Sequence, residues 1–417
     1  MLPRERSNAA YNAVGETLWG FQAALVAPAT VLTLLLQQNG AGKQTIGALA
    51  AIGSGLSLLP QVLSIYLFTS HRKRKRHLLL WHFFLMIPFT FLTGVLVHFS
   101  GSMSQSALRF GLIALFACFQ FSMGMVVAVW LDWLAHLFRP EIRGKVVGLS
   151  WCCSALAGSG GALLAGHLIR SCPVPQIYAW LYLAAGAMQV FSVSVFWFIK
   201  DPAADEPDIP PISASKLLLR FRESLGNENF RSFLAGRSLA MIGFSITPFI
   251  AVYYTSQAGG GLSPDMVVSY GAAMAIGLAI GNLVLGWLGD RAGHRAGLLI
   301  GAGIEVITLG IMLTSAGRLS CQLAYAGAGV AGASGFVSHN SMIFETCPHD
   351  SRLAHIMVAN LILGLVAVAA PSLGGAAAAA WGLRTLFAIC LVFSFASLAW
   401  VILRVREPRG LAAQPAR

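Results

Sequence analysis

The chain has 417 residues, of which 28 are Lys or Arg and 16 are Asp or Glu. Charged residues therefore make up only 11% of the chain, whereas a soluble domain carries about 25%. Hydrophobic residues account for 56%. Because too few charges remain to cover the surface of a soluble protein of this length, the composition nearly excludes a soluble enzyme.

Long stretches without a charged residue recur along the chain. A transmembrane helix needs about 20 mostly apolar residues to cross about 30 Å of hydrocarbon. Twelve stretches meet that length, and one of them is interrupted by Glu305 alone. Numbered α1 to α12, they cover residues 17–42, 44–71, 77–108, 110–131, 146–169, 171–199, 238–264, 266–289, 296–317, 319–344, 353–383 and 385–403. The sequence therefore predicts an all-α polytopic membrane protein with twelve transmembrane helices.

The basic residues predict the orientation of these helices. The side that holds both termini carries 23 of the 28 Lys and Arg residues, and basic loops stay in the cytoplasm. We therefore expect both termini to be cytoplasmic, in a multi-pass protein of the cell (inner, cytoplasmic) membrane. The basic run at residues 71–77 has the composition of a nucleic-acid patch. Between two spans, however, such a run is typical of a loop that faces anionic lipid, so membrane lipids are the expected partner and nucleic acid is not.

A polar segment between α6 and α7 divides the chain. It begins with Asp201-Pro202, contains three further prolines, which cannot continue a helix, and ends in a short amphipathic stretch expected on the membrane surface. The predicted domains are an N-terminal six-helix bundle at 1–199, a cytoplasmic linker at 200–230, and a C-terminal six-helix bundle with its tail at 231–417.

The two bundles resemble each other in sequence. Residues 149–170 align without a gap on residues 363–384, with two coincident glycines and a final Arg, which pairs α5 with α11. Two pseudo-symmetric six-helix halves are typical of transporters, whose substrate site lies near the midplane between the halves.

The loop after α8 carries a family motif. It reads Gly286-Trp-Leu-Gly-Asp290-Arg291-Ala-Gly293-His-Arg295 and resembles the G-x-x-x-D-R-x-G-x-R signature of the major facilitator superfamily. The resemblance implies twelve helices in which α1, α4, α7 and α10 surround a central cavity. It does not identify the substrate.

Two other loops resemble the same superfamily. Glu345 and Arg352 after α10 have its E-x6-R spacing, and the segment from Arg139 to Gly144 after α4 resembles its P-x-x-R-G loop. The resemblance implies a cytoplasmic gate in which Asp290 and Arg291 join Glu345 and Arg352 to bridge α8, α10 and α11 while the transporter is open outward.

The first half departs from this pattern. Residues 61–77 contain neither Asp nor Gly, and His136 stands where the matching loop would have an acid. Asp132, one helical turn earlier, is the candidate to replace that acid, together with Arg143. We therefore expect an asymmetric gate to which the second half contributes most.

The resemblance to drug–proton antiporters is partial. Gln120 in α4 matches the Gln of an R-x-x-Q-G motif, but Ala117 and Phe121 replace its Arg and Gly. The proline of the antiporter G-P-x-x-G-G element is absent from α5, and Pro371 in α11 supplies a similar element instead. The efflux interpretation is therefore weakened but stays open.

Three charged residues fall within or near the spans. Glu16 near the start of α1 and Arg237 at the matching position of α7 are candidates for a substrate, gate or ion-coupling pair, because charges inside a membrane are expensive. The alternative is that each lies at headgroup depth. Glu305 in α9 shares a face with Gly297 and Gly301, which favours a packing or hydrogen-bonding role over proton coupling.

Polar residues on α10 form the other candidate site. Ser334, Ser338, Ser341 and Glu345 recur at the spacing of one helix face, flanked by His339 and Asn340. With Gln22 of α1 and Gln120 of α4, they are the predicted cavity lining. The alternative is that the serines bond their own helix and only permit close packing. His339 as a proton carrier is the less favoured interpretation.

These features predict a secondary active or facilitated transporter that moves a small solute by alternating access. Its expected partners are the solute and a co-transported proton or cation, with no cofactor, no metal and a monomeric state. The alternatives are a proton-coupled efflux pump for amphipathic compounds, a membrane enzyme, and a sensor or scaffold that does not transport. The enzyme alternative is disfavoured because the sequence shows neither a nucleophile set nor a metal-spaced cluster of His and Cys.

Overall fold

The computed structural model describes residues 3–68, 71–201, 214–346 and 352–408. In the first half, α1 comprises Pro3–Leu25, a π-turn at Pro28–Leu32 and a last segment at Thr33–Gln38. Helix α2 comprises Lys43–Leu58 and Gln61–Leu67. Helix α3 comprises His71–Trp81, a π-turn at His82–Met86 and a last segment at Ile87–His98. The half is completed by α4 at Gln105–Leu137, α5 at Pro140–Ser171 and α6 at Gln176–Phe196.

The second half follows a linker helix at Ala214–Gly226. Here α7 comprises Glu228–Phe244 and Thr247–Thr255, α8 is Pro264–Ala292, α9 is His294–Thr314, and α10 comprises Arg318–Ala333, a π-turn at Ser334–Ser338 and His339–Thr346. The last two are α11 at Arg352–Trp381 and α12 at Leu383–Arg404.

Eleven of these helices are long and apolar enough to cross a membrane. The twelfth, α10, is outside that set, and its polar residues lower its mean hydropathy. In chain order α10 nevertheless lies between α9 and α11, and it packs along α8 and α9. The described chain is therefore an all-helical membrane protein that matches the predicted order of spans. Because the number of spans is even, both ends of the chain lie on one face of the bundle, which we call the terminal face.

The basic run at 71–77 differs from its prediction as a lipid-facing loop. It forms the first turns of α3, and Arg74 is only 2% exposed. The Lys75 ammonium donates hydrogen bonds to the carbonyl oxygens of Trp197, at 2.7 Å, and Ile199, at 2.6 Å. A cation there stabilises the carbonyl end of α6, where the helix dipole is negative.

The linker helix makes specific contacts with the second half. Phe221 packs against the apolar cluster of the second half, and the buried Ser224 hydroxyl lies 3.0 Å from Nδ1 of His355 on α11. The linker helix therefore docks on the second half through one face.

The two halves meet mainly along two helix pairs, α2 with α11 and α5 with α8. At the first pair the helices approach through their backbones, since a Cβ atom on Gly47 would overlap the Pro371 carbonyl oxygen and the main chain of Gly375. Small residues at a crossing let helices pack closely inside a membrane, where no hydrophobic effect pulls them together.

The apolar core is divided unequally between the two faces. A single cluster at the face opposite the termini takes buried residues from all twelve helices, including Leu35 of α1 and Tyr253 of α7. Near the terminal face there are two clusters, one built only from the first half and one only from the second. The halves are therefore packed together at the opposite face and separate at the terminal face.

Polar contacts reinforce the closed face. The Lys43 ammonium at the start of α2 donates to the Ala378 carbonyl oxygen of α11 at 3.1 Å. The Gln37 amide of α1 lies 3.4 Å from the Thr255 hydroxyl of α7. Both contacts cross between the halves, so separating the halves at this face would break them.

The backbone contact at Gly47 provides a first test. Gly47→Val should hold α2 away from α11 and loosen the opposite face, because the added methyl groups collide with main-chain atoms. We expect a membrane-impermeant maleimide, added from that side, to label a Leu35→Cys reporter at least about threefold faster, since Leu35 is 1% exposed in the closed form.

The matched control is Gly303→Val on α9, where an added Cβ meets no atom within 4 Å. Labelling is counted above that of the native cysteines in the same chain without the reporter. Equal rates for the Gly47 and Gly303 variants would show that this crossing does not hold the face closed.

Candidate functional site

Two adjoining cavities lie within the first half. The larger, of about 260 Å³, is lined by side chains that include Glu16, Trp19, His82, Trp130, Trp151 and Phe336. The smaller, of about 200 Å³, is lined by side chains that include Gln22, Thr90, Phe116, Gln120, Tyr182 and Gln189. Trp19 and Met123 border both, so the two cavities are neighbours, the larger an aromatic compartment and the smaller a more polar one.

Glu16 lies deep in the larger compartment. Eight residues before it, Asn8 accepts from the Lys200 backbone N–H and donates to the Lys200 carbonyl oxygen, both at 2.9 Å, which fixes the level at which α6 ends. At 1.5 Å per residue, Glu16 is about 12 Å further into the bundle. The Trp130 side chain of α4 is the polar neighbour of its carboxylate. Glu16 is therefore enclosed by the helices of the first half.

Aromatic rings surround this carboxylate. The His82 ring, which belongs to the π-turn of α3, makes edge contacts with Trp19 at 5.8 Å and with Trp130 at 5.9 Å between ring centroids. Trp130 also meets Phe196 of α6 at 4.5 Å. Nδ1 of His82 lies 2.7 Å from the Leu78 carbonyl oxygen, so one ring nitrogen is held by the helix itself.

The smaller compartment contains two of the predicted lining residues. The buried Gln22 accepts a 3.0 Å hydrogen bond from Nε2 of Gln189 on α6. Nε2 of Gln120 donates to the Gly53 carbonyl oxygen at 3.0 Å and to the Ser57 hydroxyl at 3.1 Å, which ties α4 to α2. Gln22 and Gln120 are thus both at the cavity wall and in contacts between helices.

One residue of the second half reaches the cavity. Phe336, in the π-turn of α10, packs edge-on against Trp151 of α5 at 4.6 Å between ring centroids. This aromatic pair crosses between the halves. Any ligand in the larger compartment therefore contacts both of them.

The remaining charged candidates meet inside the second half. Arg237 is half-buried and interacts electrostatically with Glu305, whose Oε1 accepts a 2.7 Å hydrogen bond from the Ser394 hydroxyl of α12. His339 stacks on Phe233 with ring centroids 5.4 Å apart. None of these side chains lines either cavity. Glu16 and Arg237 therefore have separate partners, one in each half, and are not brought together as a pair.

The serines of α10 lie elsewhere than their predicted position in the cavity. Ser334 and Ser338 are buried against Gly301 and Gly297 of α9, and the Ser334 hydroxyl donates to the Gly297 carbonyl oxygen at 2.9 Å. Their stripe is broken by the π-turn, which changes the helical register at these residues.

The other two polar residues of α10 follow the π-turn. Asn340 donates to the Phe336 carbonyl oxygen at 2.7 Å, and Ser341 is half-buried. Neither side chain lines either of the two cavities described above.

The family motif occupies the terminal face of the second half. Gly293 has a left-handed backbone with φ of +87°, and the Glu407 carboxylate fills the space where a side chain would stand. That carboxylate accepts from the Arg295 backbone N–H at 2.9 Å, and the Arg295 guanidinium donates to the Ile402 carbonyl oxygen at 2.8 Å. The motif therefore fastens the start of α9 to the end of α12, a role that the motif alone did not reveal.

The predicted gate residues are partly described. Asp290 and Arg291 are exposed, and the Arg291 guanidinium lies 4.2 Å above the Trp287 ring. Gly286 borders open space, and a Glu345 carboxylate oxygen lies 3.8 Å from Nε2 of His294. The side chains of Arg352, Asp132 and Arg143 lie outside the described part of the structure.

The first half has an ion pair that was not predicted. Arg139 donates to both carboxylate oxygens of Glu5, at 2.9 and 3.2 Å, which joins the start of α1 to the loop before α5. Glu5 is 3% exposed and Arg139 is 56% exposed. Nearby, the Trp133 indole donates to Asp201 at 2.7 Å. No family spacing in the sequence marks Glu5, because its partner lies 134 residues away.

Known proteins agree with this architecture. Residues 238–417 match the profile of the Major Facilitator Superfamily. The whole chain has the fold of a bacterial homologue of the human lysosomal transporter Spinster in an inward-facing, unoccupied conformation, with 14% sequence identity, a TM-score of 0.67 and 100% of both chains covered. The second half of the chain therefore matches the Major Facilitator Superfamily in sequence, and the whole chain has the fold of a solved transporter.

A second superfamily fold is equally similar. The nucleoside transporter NupG, in a mutant form, matches with 11% identity and a TM-score of 0.67, over 97% of this chain and 100% of the other. At these identities the likeness concerns the fold alone. No curated protein matches the chain in sequence.

The ion pair at Glu5 provides a second test. Arg139→Ala should destabilise the protein by about 1–2 kcal/mol, because it removes two charge-assisted donors from a buried carboxylate while one partner stays near water. A fall in the midpoint of thermal unfolding would report this loss. The double variant Glu5→Gln with Arg139→Ala should be less destabilised than Arg139→Ala alone.

The ordering of these two variants is the decisive observation. If the double variant were less stable than the single one, the buried carboxylate would be held by other contacts and Arg139 would matter only for packing.

Proposed function

We propose that this protein is a secondary transporter of a small amphipathic solute, working by alternating access with its terminal face in the cytoplasm of an inner membrane. The unequal core carries the proposal. All twelve helices share one apolar cluster at the opposite face, whereas the halves have separate clusters at the terminal face. Such an arrangement is open toward the side that the basic residues assign to the cytoplasm.

The domain division follows the same pattern. The bundles 1–199 and 231–417 would rock about the α2–α11 and α5–α8 crossings, with the 200–230 linker joining them. The aromatic lining of the larger cavity favours amphipathic solutes over sugars, because rings offer apolar contact and few hydrogen bonds. The lining is therefore compatible with import or with efflux of such compounds.

Phe336 makes the cavity wall depend on the position of the second half. A ligand shifts a conformational equilibrium only if it contacts the two conformations differently. Since Phe336 is the point at which α10 touches the cavity, movement of the second half changes that contact first. We therefore assign Phe336 to coupling between the halves, with Trp151 as its partner.

This assignment yields a third prediction. Phe336→Ala should reduce solute counterflow in proteoliposomes at least about tenfold, while equilibrium binding changes by less than about threefold, because most of the cavity wall belongs to the first half. The measurement uses a panel of labelled amphipathic solutes and scores the one with the highest counterflow.

Phe191→Ala on α6 is the matched control, since Phe191 is 63% exposed and lines neither of the two cavities. It should leave both quantities unchanged. Loss of binding and counterflow in equal measure in Phe336→Ala would assign Phe336 to the binding site and remove it from coupling. Absence of counterflow for every solute in the unmodified chain would contradict transport.

The predicted cytoplasmic gate is a second part of the proposed function. We propose that Asp290, Arg291, Glu345 and Arg352 close the cytoplasmic face of the second half in the outward-open state. The fourth prediction is that Asp290→Asn shifts the resting population inward and slows turnover, because one acid of the closed state is lost. Spin-label distances between the cytoplasmic ends of the two halves measure the shift. If Asp132→Asn alters distances and turnover while Asp290→Asn alters neither, the gate belongs to the first half.

A further inference from the structure

We propose that the larger cavity is a binding site for a small organic cation, such as an aromatic or alkyl ammonium compound, with Glu16 as its counter-charge. The inference names the substrate class of the proposed transporter and rests on that function for the movement of the ligand. It rests on the cavity itself for binding.

The charge of the cavity wall points to a cation. Among the described side chains that line the larger compartment, Glu16 is the acidic one and none is Lys or Arg. No Lys, Arg or His side chain of the described chain forms an ion pair with Glu16, and the polar side chain beside its carboxylate is the neutral Trp130 indole. A carboxylate at membrane depth without a positive partner is expensive, so a ligand that brings the positive charge is favoured.

The second half offers no substitute for such a ligand. Arg237 is half-buried in that half and interacts electrostatically with Glu305. Glu305 also accepts a 2.7 Å hydrogen bond from the Ser394 hydroxyl, whereas Nε of Arg237 has no hydrogen-bond partner among the described residues. The electrostatic partner of Arg237 is therefore Glu305, and Arg237 does not line the larger compartment with Glu16.

The rings of the wall provide the second part of the site. Trp19, Trp130, Trp151 and Phe336 line the space around Glu16 together with His82. A cation near the face of an aromatic ring is attracted by the ring quadrupole, most strongly by Trp, and this attraction grows when water is excluded. Rings also pack against the apolar groups of an ammonium compound, and metal ions lack such groups. The combination therefore selects an organic cation rather than an inorganic ion.

Anionic and neutral ligands fit this wall less well. An anion would meet the Glu16 carboxylate and the negative faces of the rings without a basic residue to offset either. A polyhydroxylated solute would find few polar groups, since the amides of Gln22, Gln120 and Gln189 belong to the smaller compartment. The charge of the wall and its few polar groups therefore both favour an organic cation.

Binding can be measured on the full chain in detergent or nanodiscs through tryptophan fluorescence, because three indoles lie at the site. The probes are benzyltrimethylammonium, the neutral N,N-dimethylbenzamide and the anionic benzenesulfonate. We expect the cation to bind at least about tenfold more tightly than the other two. Glu16→Gln should weaken the cation at least about tenfold and leave the amide unchanged, which also shows that the variant is folded.

Two further variants sharpen the result. Glu228→Gln removes an exposed acid at the start of α7 and should not affect cation binding. Trp151→Leu removes one ring of the wall and should weaken the cation more than the amide. Unchanged cation affinity in Glu16→Gln, or benzenesulfonate binding as tightly as the cation, would overturn the proposal.

Failure of the site and failure of transport are separable. If the chain binds benzyltrimethylammonium in a Glu16-dependent manner but exchanges no solute in counterflow, the transport function is wrong and the cation site stands. If a different solute shows counterflow that depends on Phe336 while the cation does not bind, the cation site is wrong and transport stands.

Discussion

The backbones of α2 and α11 meet at Gly47 and Gly375 with no side chain between them, and this contact limits how the two halves can move. Main-chain atoms in contact cannot approach further, and the packed cluster at the opposite face resists separation there. The halves can therefore rotate about the crossing more easily than they can slide or spread. Rotation that opens the opposite face must close the terminal face, which is the geometric requirement of alternating access.

The two halves treat their internal charges differently. In the second half, Arg237 interacts electrostatically with Glu305, which also accepts a hydrogen bond from the Ser394 hydroxyl. In the first half, Glu16 lines a cavity beside the Trp130 side chain. In the proposed function, recognition of the ligand belongs to the first half, and the second half would contribute the Phe336 ring and the proposed gate residues. A division of this kind separates the selection of a ligand from the response to it.

The sequence predicted the helices, their order and the superfamily because these depend on composition, span length and loop motifs, which are local. The cavity wall was not predicted, apart from Gln22 and Gln120, and Glu16 was predicted as one of a charged pair with Arg237. Trp19, Trp130 and Trp151 are apolar residues in apolar helices, and nothing in the sequence distinguishes a ring at a cavity from a ring in lipid. The Glu5–Arg139 pair joins residues 134 positions apart, and no spacing rule reaches so far. The spacing of the α10 serines indicated a polar helix face, but it did not show that this face packs against α9.

The π-turns explain why the α10 prediction failed and why the site exists. A π-turn inserts one residue into a helix, so the residues beyond it move to a different face from the one that 3.6-residue periodicity assigns. In α10 the insertion spans Ser334–Ser338, the residues whose periodic spacing suggested a cavity stripe, and it leaves the serines on α9 and Phe336 at the cavity. In α3 the insertion at His82–Met86 brings His82 between Trp19 and Trp130. Each of these two π-turns thus places a ring, Phe336 or His82, at the larger compartment. Regular helices through the same residues would have placed these rings on other helix faces.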